Sequence, residues 1–274
     1  MSQQTAVDHA TLAVQHESGS LNIHVATWAG PQGPLPLVML HGIWDTWETF
    51  ERAATRLARE RTVHALDLRG HGASDKPEEG YEPGDYAADV LGVLDQLGYP
   101  QVALLGFSLG ALVSSQLVAT QPGPVARLIL EDPPYNPGAD VRGRAAWMRA
   151  LIELKQQPFE DVVEGLAELY PTRDRATNEL SARALINTAE GPFRASLTRT
   201  TPVDVPGLLA HWTAPALILQ ADPAHGAALS DAGRAALQAA LPQAQVVNFP
   251  GSGHLIHAEQ EDAFVEAVGA FLRG

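Results

Sequence analysis

A serine between two glycines carries the clearest chemical signal in the sequence. Ser108 stands in the segment Gly106-Phe107-Ser108-Leu109-Gly110, directly after an apolar run and directly before a helix-like stretch. Glycine at both ends allows a sharp turn and close backbone packing, so that the hydroxyl projects outward. This arrangement predicts a nucleophilic serine. An ordinary glycine-rich turn is the alternative interpretation, whereas a phosphate-binding loop is excluded because no Lys-Ser or Lys-Thr pair follows the second glycine.

A serine hydroxyl becomes an effective nucleophile only when a base accepts its proton. The chain holds ten histidines, and the candidate stands in a glycine-rich loop, Gly251-Ser252-Gly253-His254, between the last strand-like run and the last helix-like stretch. A zinc site on His254 and His257 is disfavoured, since this pair lacks both the glutamate of the helical zinc motif and a third clear ligand. The sequence therefore predicts no metal site.

Short apolar runs separated by helix-like stretches must position these side chains. The strand-like runs cover residues 35–40, 62–66, 102–105 and 128–130, and the helix-like stretches cover residues 47–59, 86–97 and 111–120. Runs this short and unbroken are typical of strands that are buried on both faces of a parallel sheet. Two earlier runs, at residues 12–14 and 21–26 around a turn at 18–20, predict a hairpin. The alternation predicts an α/β fold.

The pattern changes after residue 134. Residues 141–210 contain no strand-like run, and prolines divide them into short helix-like stretches, whereas strand-like runs resume at 216–219 and 245–249. We expect a core formed by residues 1–133 and 211–274 and a helical cap formed by residues 134–210, inserted over the site. The alternative is that these helices simply pack on the sheet.

Composition and charge exclude several classes of function. The chain has 274 residues, with 18 Lys and Arg against 32 Asp and Glu, a formal net charge of −14 and no cysteine. The acid excess argues against nucleic acid or an anionic membrane as partner, and the lack of cysteine excludes thiolate and iron–sulfur chemistry. The first twenty residues do not read as a secretory signal, and no apolar run is long enough to span a bilayer. A cytoplasmic protein that acts on a small molecule is the expectation, with its oligomeric state open.

Over essentially its whole length, the sequence resembles the α/β-hydrolase family. The resemblance rests on four segments in that family's order: residues 41–42 (HG), 67–74 (DLRGHGAS), 106–110 (GFSLG) and 251–254 (GSGH). It implies a mostly parallel eight-stranded sheet with helices on both faces, and a helical cap inserted after the sixth strand. It also implies that Ser108 is the nucleophile and that His254 is the base.

Two carboxylates compete for the third role, which is to hold the imidazole in the correct tautomer. Asp132 ends the sixth strand-like run, and the chain is most similar to the branch of the family that carries its acid there, such as N-formylmaleamate deformylase-like and lactonase-like members. Asp222 follows the seventh run, where the acid is commoner, but it is shifted from the usual place. We favour Asp132 and keep Asp222 as the alternative. Each residue also has a purely structural interpretation. Asp132 would cap the end of a strand and the next turn, and Asp222 would be an ordinary turn residue.

Backbone amides are expected to hold the negative charge that develops on the substrate oxygen. The resemblance implies that one amide belongs to Leu109, after the nucleophile, and that the other belongs to the loop after His41-Gly42, where Ile43 is the candidate. Large aromatic residues could line an apolar pocket beside them. The candidates are Trp44, Phe107 and Trp147, of which Trp147 could equally pack in the core.

The predicted function is a cofactor-independent serine hydrolase that cleaves a small carboxylic ester, lactone or amide through an acyl-enzyme intermediate. Serine at position 108 argues against the dehalogenase and epoxide hydrolase branches, which use aspartate there. Three alternatives remain on the same fold: a C–C bond hydrolase, a cofactor-free oxygenase, and a non-catalytic receptor for a small ligand.

Overall fold

Eight strands form one sheet in the computed structural model, which describes residues 6–16, 19–137, 141–199 and 203–274. The strands are β1 (Val7–His16), β2 (Gly19–Trp28), β3 (Leu37–Leu40), β4 (Val63–Leu66), β5 (Val102–Phe107), β6 (Val125–Glu131), β7 (Ala216–Ala221) and β8 (Gln245–Phe249). Their order across the sheet is β1-β2-β4-β3-β5-β6-β7-β8. Only β2 runs antiparallel to its neighbours β1 and β4, and all other neighbouring pairs are parallel. The predicted mostly parallel sheet is confirmed.

Helices cover both faces of this sheet. They are α1 (Glu51–Leu57), α2 (Pro83–Leu97), α3 (Leu109–Thr120), α4 (Val141–Leu154), α5 (Phe159–Leu169), α6 (Arg175–Asn187), α7 (Glu190–Thr198), α8 (Val205–Leu209), α9 (Asp231–Ala240), α10 (Ile256–Glu259) and α11 (Glu261–Arg273). One buried cluster packs α2, α3, α8 and α9 on one face, and a second packs α1, α10 and α11 on the other. Every residue of β3, β4 and β5 is buried, which explains their unbroken apolar runs.

The helices between β6 and β7 have a core of their own. Side chains of α4, α5, α6 and α7 form a third buried cluster, and Trp44 joins it from the loop after β3. Helix α8 instead buries Val205 and Leu209 in the first cluster, against the sheet. In the described part of residues 134–210, all regular secondary structure is helical.

Several element bounds differ from the sequence prediction. The helix expected at 47–59 is a 3₁₀ turn (Trp47–Phe50) followed by α1, which ends at Leu57. The hairpin strands are longer than predicted and pair along ten residues, because cross-strand hydrogen bonding continues beyond the apolar positions. Ser18, in the expected turn, lies outside the described residues.

Two further observations concern membranes and metals. Among the described residues, no helix has the length and apolar character needed to cross a membrane. Within the same part of the chain, no three or more histidine, aspartate or glutamate side chains are grouped so that they could bind a metal ion. The cytoplasmic location stays a prediction.

Candidate active site

The tight turn at Ser108 joins β5 to α3. Ser108 has φ 51° and ψ −111°, outside the regions that L-residues normally occupy. A Cβ atom on Gly106 would overlap the backbone of Gly110, and one on Gly110 would overlap the carbonyl of Leu40 in β3. Glycine is therefore required at both places, as the sequence predicted. The amide of Ser108 donates to the carbonyl of Glu131 at 3.0 Å, which ties the turn to β6.

Backbone strain is concentrated around this turn. In the described part of the chain, the non-glycine residues with positive φ are Trp44 (50°), Ser108 (51°) and Asp132 (40°). Each follows a parallel strand, β3, β5 or β6, at the carboxyl edge of the sheet. A conformation of this kind costs about 1–3 kcal/mol per residue and persists only where the surroundings impose it. Such strain is typical of functional sites, and here it marks three predicted site residues.

Asp132 lies against His254. Its Oδ2 atom is 2.6 Å from Nδ1 of His254 and accepts a hydrogen bond from the amide of Ala228 at 2.7 Å. Its Oδ1 atom accepts from the amides of Ala221 and Leu229, both at 3.3 Å. The carboxylate is fully buried, so these donors replace the water that its charge would otherwise need. Because Nδ1 faces Asp132, Nε2 is the nitrogen of His254 that is left for another partner.

Asp222 occupies a different place. Its Oδ1 atom accepts from the amide of Ala224 at 2.9 Å, and its Oδ2 atom accepts from the amide of Gly251 at 2.8 Å and lies 3.1 Å from Nδ1 of His225. The hydrogen bond from Gly251 is the main cause that lowers the pKa of Asp222 below its usual value. The structure thus brings Asp132, and not Asp222, against His254.

A cavity of about 550 Å³ opens over these residues. Ser108 and His254 both line it, and the ring of Phe107 packs on His254 with centroids 4.7 Å apart. All three predicted pocket aromatics, Trp44, Phe107 and Trp147, line the cavity. Trp44 meets Trp147 of α4 edge to face at 5.0 Å, so α4 contributes to the wall opposite the sheet.

The loop after β3 packs against the serine turn. A Cβ atom on Gly42 would lie 2.8 Å from the ring of Phe107, so only glycine permits this approach. Nδ1 of His41 lies 2.7 Å from the carbonyl oxygen of Gly42, and Nε2 of the same ring accepts a hydrogen bond from the amide of Leu68 at 3.0 Å. Since the C=O and N–H of one peptide plane point in opposite directions, this contact also sets the direction of the Ile43 amide. Ile43 lines the cavity.

The amide of Leu109 is the second predicted donor. Leu109 is the first residue of α3 and lines the cavity. The first amides of a helix have no acceptor within the helix, and the helix dipole favours negative charge at this end. The two predicted donors, Leu109 and Ile43, therefore border the same cavity as Ser108.

Two buried charged residues near the site were missed by sequence reasoning. Glu131 is fully buried and holds His257 through the backbone amide at 2.9 Å and through Nδ1 at 2.8 Å. Arg173, between α5 and α6, lines the cavity and is almost fully buried. The position of Glu131 next to Asp132 is a sequence signal that could have identified it. Arg173 stands in a segment without any motif, so the sequence offered no such signal for it.

Comparison with known proteins relates this geometry to a family. A family model described as "Alpha/beta hydrolase family" matches residues 37–267. The chain is 30% identical over 251 residues to the 2-(acetamidomethylene)succinate hydrolase of Mesorhizobium japonicum, and the match covers 88% of each protein.

Solved structures agree with this match. The crystal structure of an E-2-(acetamidomethylene)succinate hydrolase superposes with a TM-score of 0.78 at 25% identity, over 97% of this chain and all of the other. The N-formylmaleamic acid deformylase of Pseudomonas putida S16 superposes with a TM-score of 0.77 at 22% identity, over 96% of this chain and all of the other. At that identity the second likeness concerns the fold alone.

Proposed function

Since the chain belongs to the alpha/beta hydrolase family and is a hydrolase, we propose that it works through a serine nucleophile. Ser108 is the nucleophile, His254 is the base, and Asp132 orients the base. The observation that carries this proposal is the contact of 2.6 Å between Asp132 and His254, in a cavity that Ser108 also lines. A buried carboxylate on Nδ1 keeps the other nitrogen of the ring available to accept a proton.

The first half of the reaction transfers the acyl group to the enzyme. Oγ of Ser108 attacks the substrate carbonyl carbon while Nε2 of His254 takes the hydroxyl proton. The carbonyl oxygen becomes negative, and the amides of Ile43 and Leu109 donate to it. A well-placed donor of this kind contributes about 3–4 kcal/mol to transition-state stabilisation. The intermediate then expels its alcohol or amine, which leaves with the proton from His254.

The second half releases the acid. A water molecule gives a proton to His254 and attacks the ester on Ser108, and collapse of this intermediate returns the proton to the serine oxygen. Asp132 stabilises the imidazolium in both halves. The three backbone amides that hold its carboxylate keep it fixed while the charge on the ring changes.

We further propose that residues 134–210 act as a cap over a core of residues 1–133 and 211–274. Trp147 and Met148 of α4, Leu169 of α5 and Pro192 of α7 all line the cavity, opposite the carboxyl edge of the sheet. Side chains of this segment then decide which substrates fit, and they exclude bulk water from the reacting atoms.

The bond that is cleaved belongs to a small carboxylic ester, lactone or amide. The relative with 30% identity is named for the hydrolysis of 2-(acetamidomethylene)succinate, whose acetamido group contains an amide. That name supports an amide as one of the bonds to test beside esters. The cavity of about 550 Å³ has room for a small molecule rather than a polymer.

The test combines turnover with covalent labelling. We expect the wild type to hydrolyse short p-nitrophenyl esters and to be labelled by a fluorophosphonate, and we expect Ser108→Ala to lose both. Ser114→Ala is the matched control, because Ser114 is buried in α3 and its hydroxyl has no partner among the described residues. Equal turnover by wild type and Ser108→Ala would overturn the proposal. Tight ligand binding without turnover on an ester, lactone and amide panel would favour a receptor instead.

A further inference from the structure

Arg173 is a buried cation in the wall of the cavity. Its side chain is only 3% exposed, in the segment that joins α5 to α6. The mechanism proposed above gives it no role. Burying a guanidinium costs free energy unless its charge and its N–H groups find partners, so its partners need to be accounted for.

The partners that the protein supplies are incomplete. Nε of Arg173 lies 3.5 Å from Oε1 of Glu259, and Nε makes no hydrogen bond. No hydrogen bond of its other two nitrogens is seen among the described residues, although the charge of Arg173 also acts on Asp45, a buried acid that lines the same cavity. The carboxylate of Glu259 is already engaged by the amide of Gly253 at 2.6 Å and by that of Leu255 at 3.4 Å. A guanidinium carries five N–H donors, so most of its donor capacity is unused.

An aromatic platform fixes the guanidinium in this place. Its central carbon lies 3.9 Å from the centroid of the Tyr170 ring. Trp147 of α4 interacts with the hydroxyl of Tyr170, so α4 lies beside the platform. Stacking uses the face of a guanidinium and leaves its edge free, and that edge matches the two oxygens of a carboxylate.

We propose that Arg173 is an anion-binding subsite of the catalytic cavity and that the substrate carries a carboxylate group besides the bond that is cleaved. This inference rests on the proposed hydrolase function. A carboxylate fits better than a phosphate, because a single planar guanidinium offers two parallel donors and a dianion needs more. In a chain with net charge −14, a buried arginine also gives an anionic substrate a favourable place to bind.

A purely structural role is the competing explanation. In that case Arg173 would serve only to attach the segment after α5 to the loop of His254 through Glu259. The two explanations differ in what substitution does. Loss of a structural link lowers activity on every substrate, and Glu259→Gln and Arg173→Gln then behave alike. Loss of an anion subsite lowers activity only on substrates that carry the charge. We then expect this selective loss for Arg173→Gln and not for Glu259→Gln.

The kinetic experiment compares monomethyl esters of succinic, glutaric and adipic acid with their dimethyl esters. We expect wild type to prefer at least one monomethyl ester, and Arg173→Gln to lower kcat/KM for it by about tenfold to a hundredfold, mainly through KM, with the dimethyl ester changed less than about threefold. Arg173→Lys should restore part of the loss. Arg175→Gln, an exposed arginine two residues further on, is the matched control. Equal losses of kcat/KM on the monomethyl and dimethyl esters would overturn the subsite proposal without contradicting the proposed hydrolase function.

A binding experiment separates the subsite from catalysis. Succinate, glutarate and adipate are titrated calorimetrically into Ser108→Ala, with the corresponding diamides as neutral controls. We expect at least one diacid to bind and its affinity to fall about tenfold or more when Arg173→Gln is added. This dependence would uphold the subsite even if Ser108→Ala left turnover unchanged and the proposed function failed. No preference for any diacid over its diamide would overturn the subsite.

Discussion

Glu131 and Asp132 are adjacent at the end of β6, and each holds a different histidine, one in the loop after β8 and the other in α10. Asp132 contacts His254 at 2.6 Å in the cavity that Ser108 lines, whereas Glu131 contacts His257 at 2.8 Å among the rings of the second buried cluster. Glu131 is the last residue of β6, whereas Asp132 follows it with φ 40°, and the two neighbouring carboxylates serve two different sites. The segment that runs from the proposed base into α10 is thus fixed to the end of β6 at two points.

Asp132→Asn tests the assignment of the acid. The amide has nearly the shape of the carboxylate but lacks its charge, so it no longer stabilises the imidazolium or selects the tautomer. We expect kcat to fall by about 10³–10⁴, while Asp222→Asn changes it by less than about threefold, because Asp222 is engaged by Gly251 and His225. Steady-state kinetics on one ester measures both. The opposite ranking of the two variants would move the acid to Asp222.

Glu131→Gln tests the contact between Glu131 and His257. Both partners are essentially unexposed, and the carboxylate accepts from the amide and from the ring of His257. Removing one member of such a buried pair typically costs about 3–5 kcal/mol. Denaturant unfolding should therefore show a clear loss for Glu131→Gln and for His257→Phe. The double variant should lose less than the two single losses combined, and simple additivity would show that the pair is not coupled.

Two helical glycines form a matched pair for a packing test. An alanine Cβ at Gly110 would overlap the carbonyl of Leu40, whereas at Gly84 it would meet open space. Gly110→Ala should push α3 away from β3, which displaces Ser108 and lowers both stability and activity. Gly84→Ala should stabilise the protein by about 0.5 kcal/mol. Thermal melts and ester turnover on both variants check this, and a tolerated Gly110→Ala would contradict the described packing.

His64 makes stability depend on pH. Burial lowers its pKa from 6.5 to about 4. Between these values the unfolded chain binds a proton that the folded protein does not, so the free energy of unfolding falls as pH falls from 6.5 towards 4. The slope for one such group is about 1.4 kcal/mol per pH unit. Above pH 6.5 the imidazole of His64 is neutral in both the folded and the unfolded chain, so this loss of stability is absent.

The measurement for His64 is a series of urea unfolding curves across that pH range. His64→Gln loses the contact of 2.9 Å with the hydroxyl of Thr27, so it should be less stable at neutral pH. Its unfolding free energy should nevertheless change less steeply with pH than that of wild type. Parallel slopes would mean that His64 titrates normally in the folded protein. His71, whose pKa burial lowers to about 3, should contribute in the same direction in both proteins.

Local features could be read from the sequence. The buried strands appear as unbroken apolar runs because both faces of a parallel sheet are covered. The serine turn appears as two glycines around Ser108, because the close approach of Gly106 to the backbone of Gly110 acts within five residues. The loop of His254 could be located for the same reason, although its partner could not be derived from spacing.

Only the tertiary structure decided which carboxylate meets His254. Asp132 and Asp222 follow neighbouring parallel strands, β6 and β7, and therefore end at the same edge of the sheet. Asp132 and His254 are 122 residues apart in the chain, and no local pattern encodes such a contact. The same holds for Arg173, whose long-range partner Glu259 lies in α10. Patterns in a sequence report which backbone conformation and burial are favourable nearby, whereas the meeting of distant side chains depends on how whole elements pack.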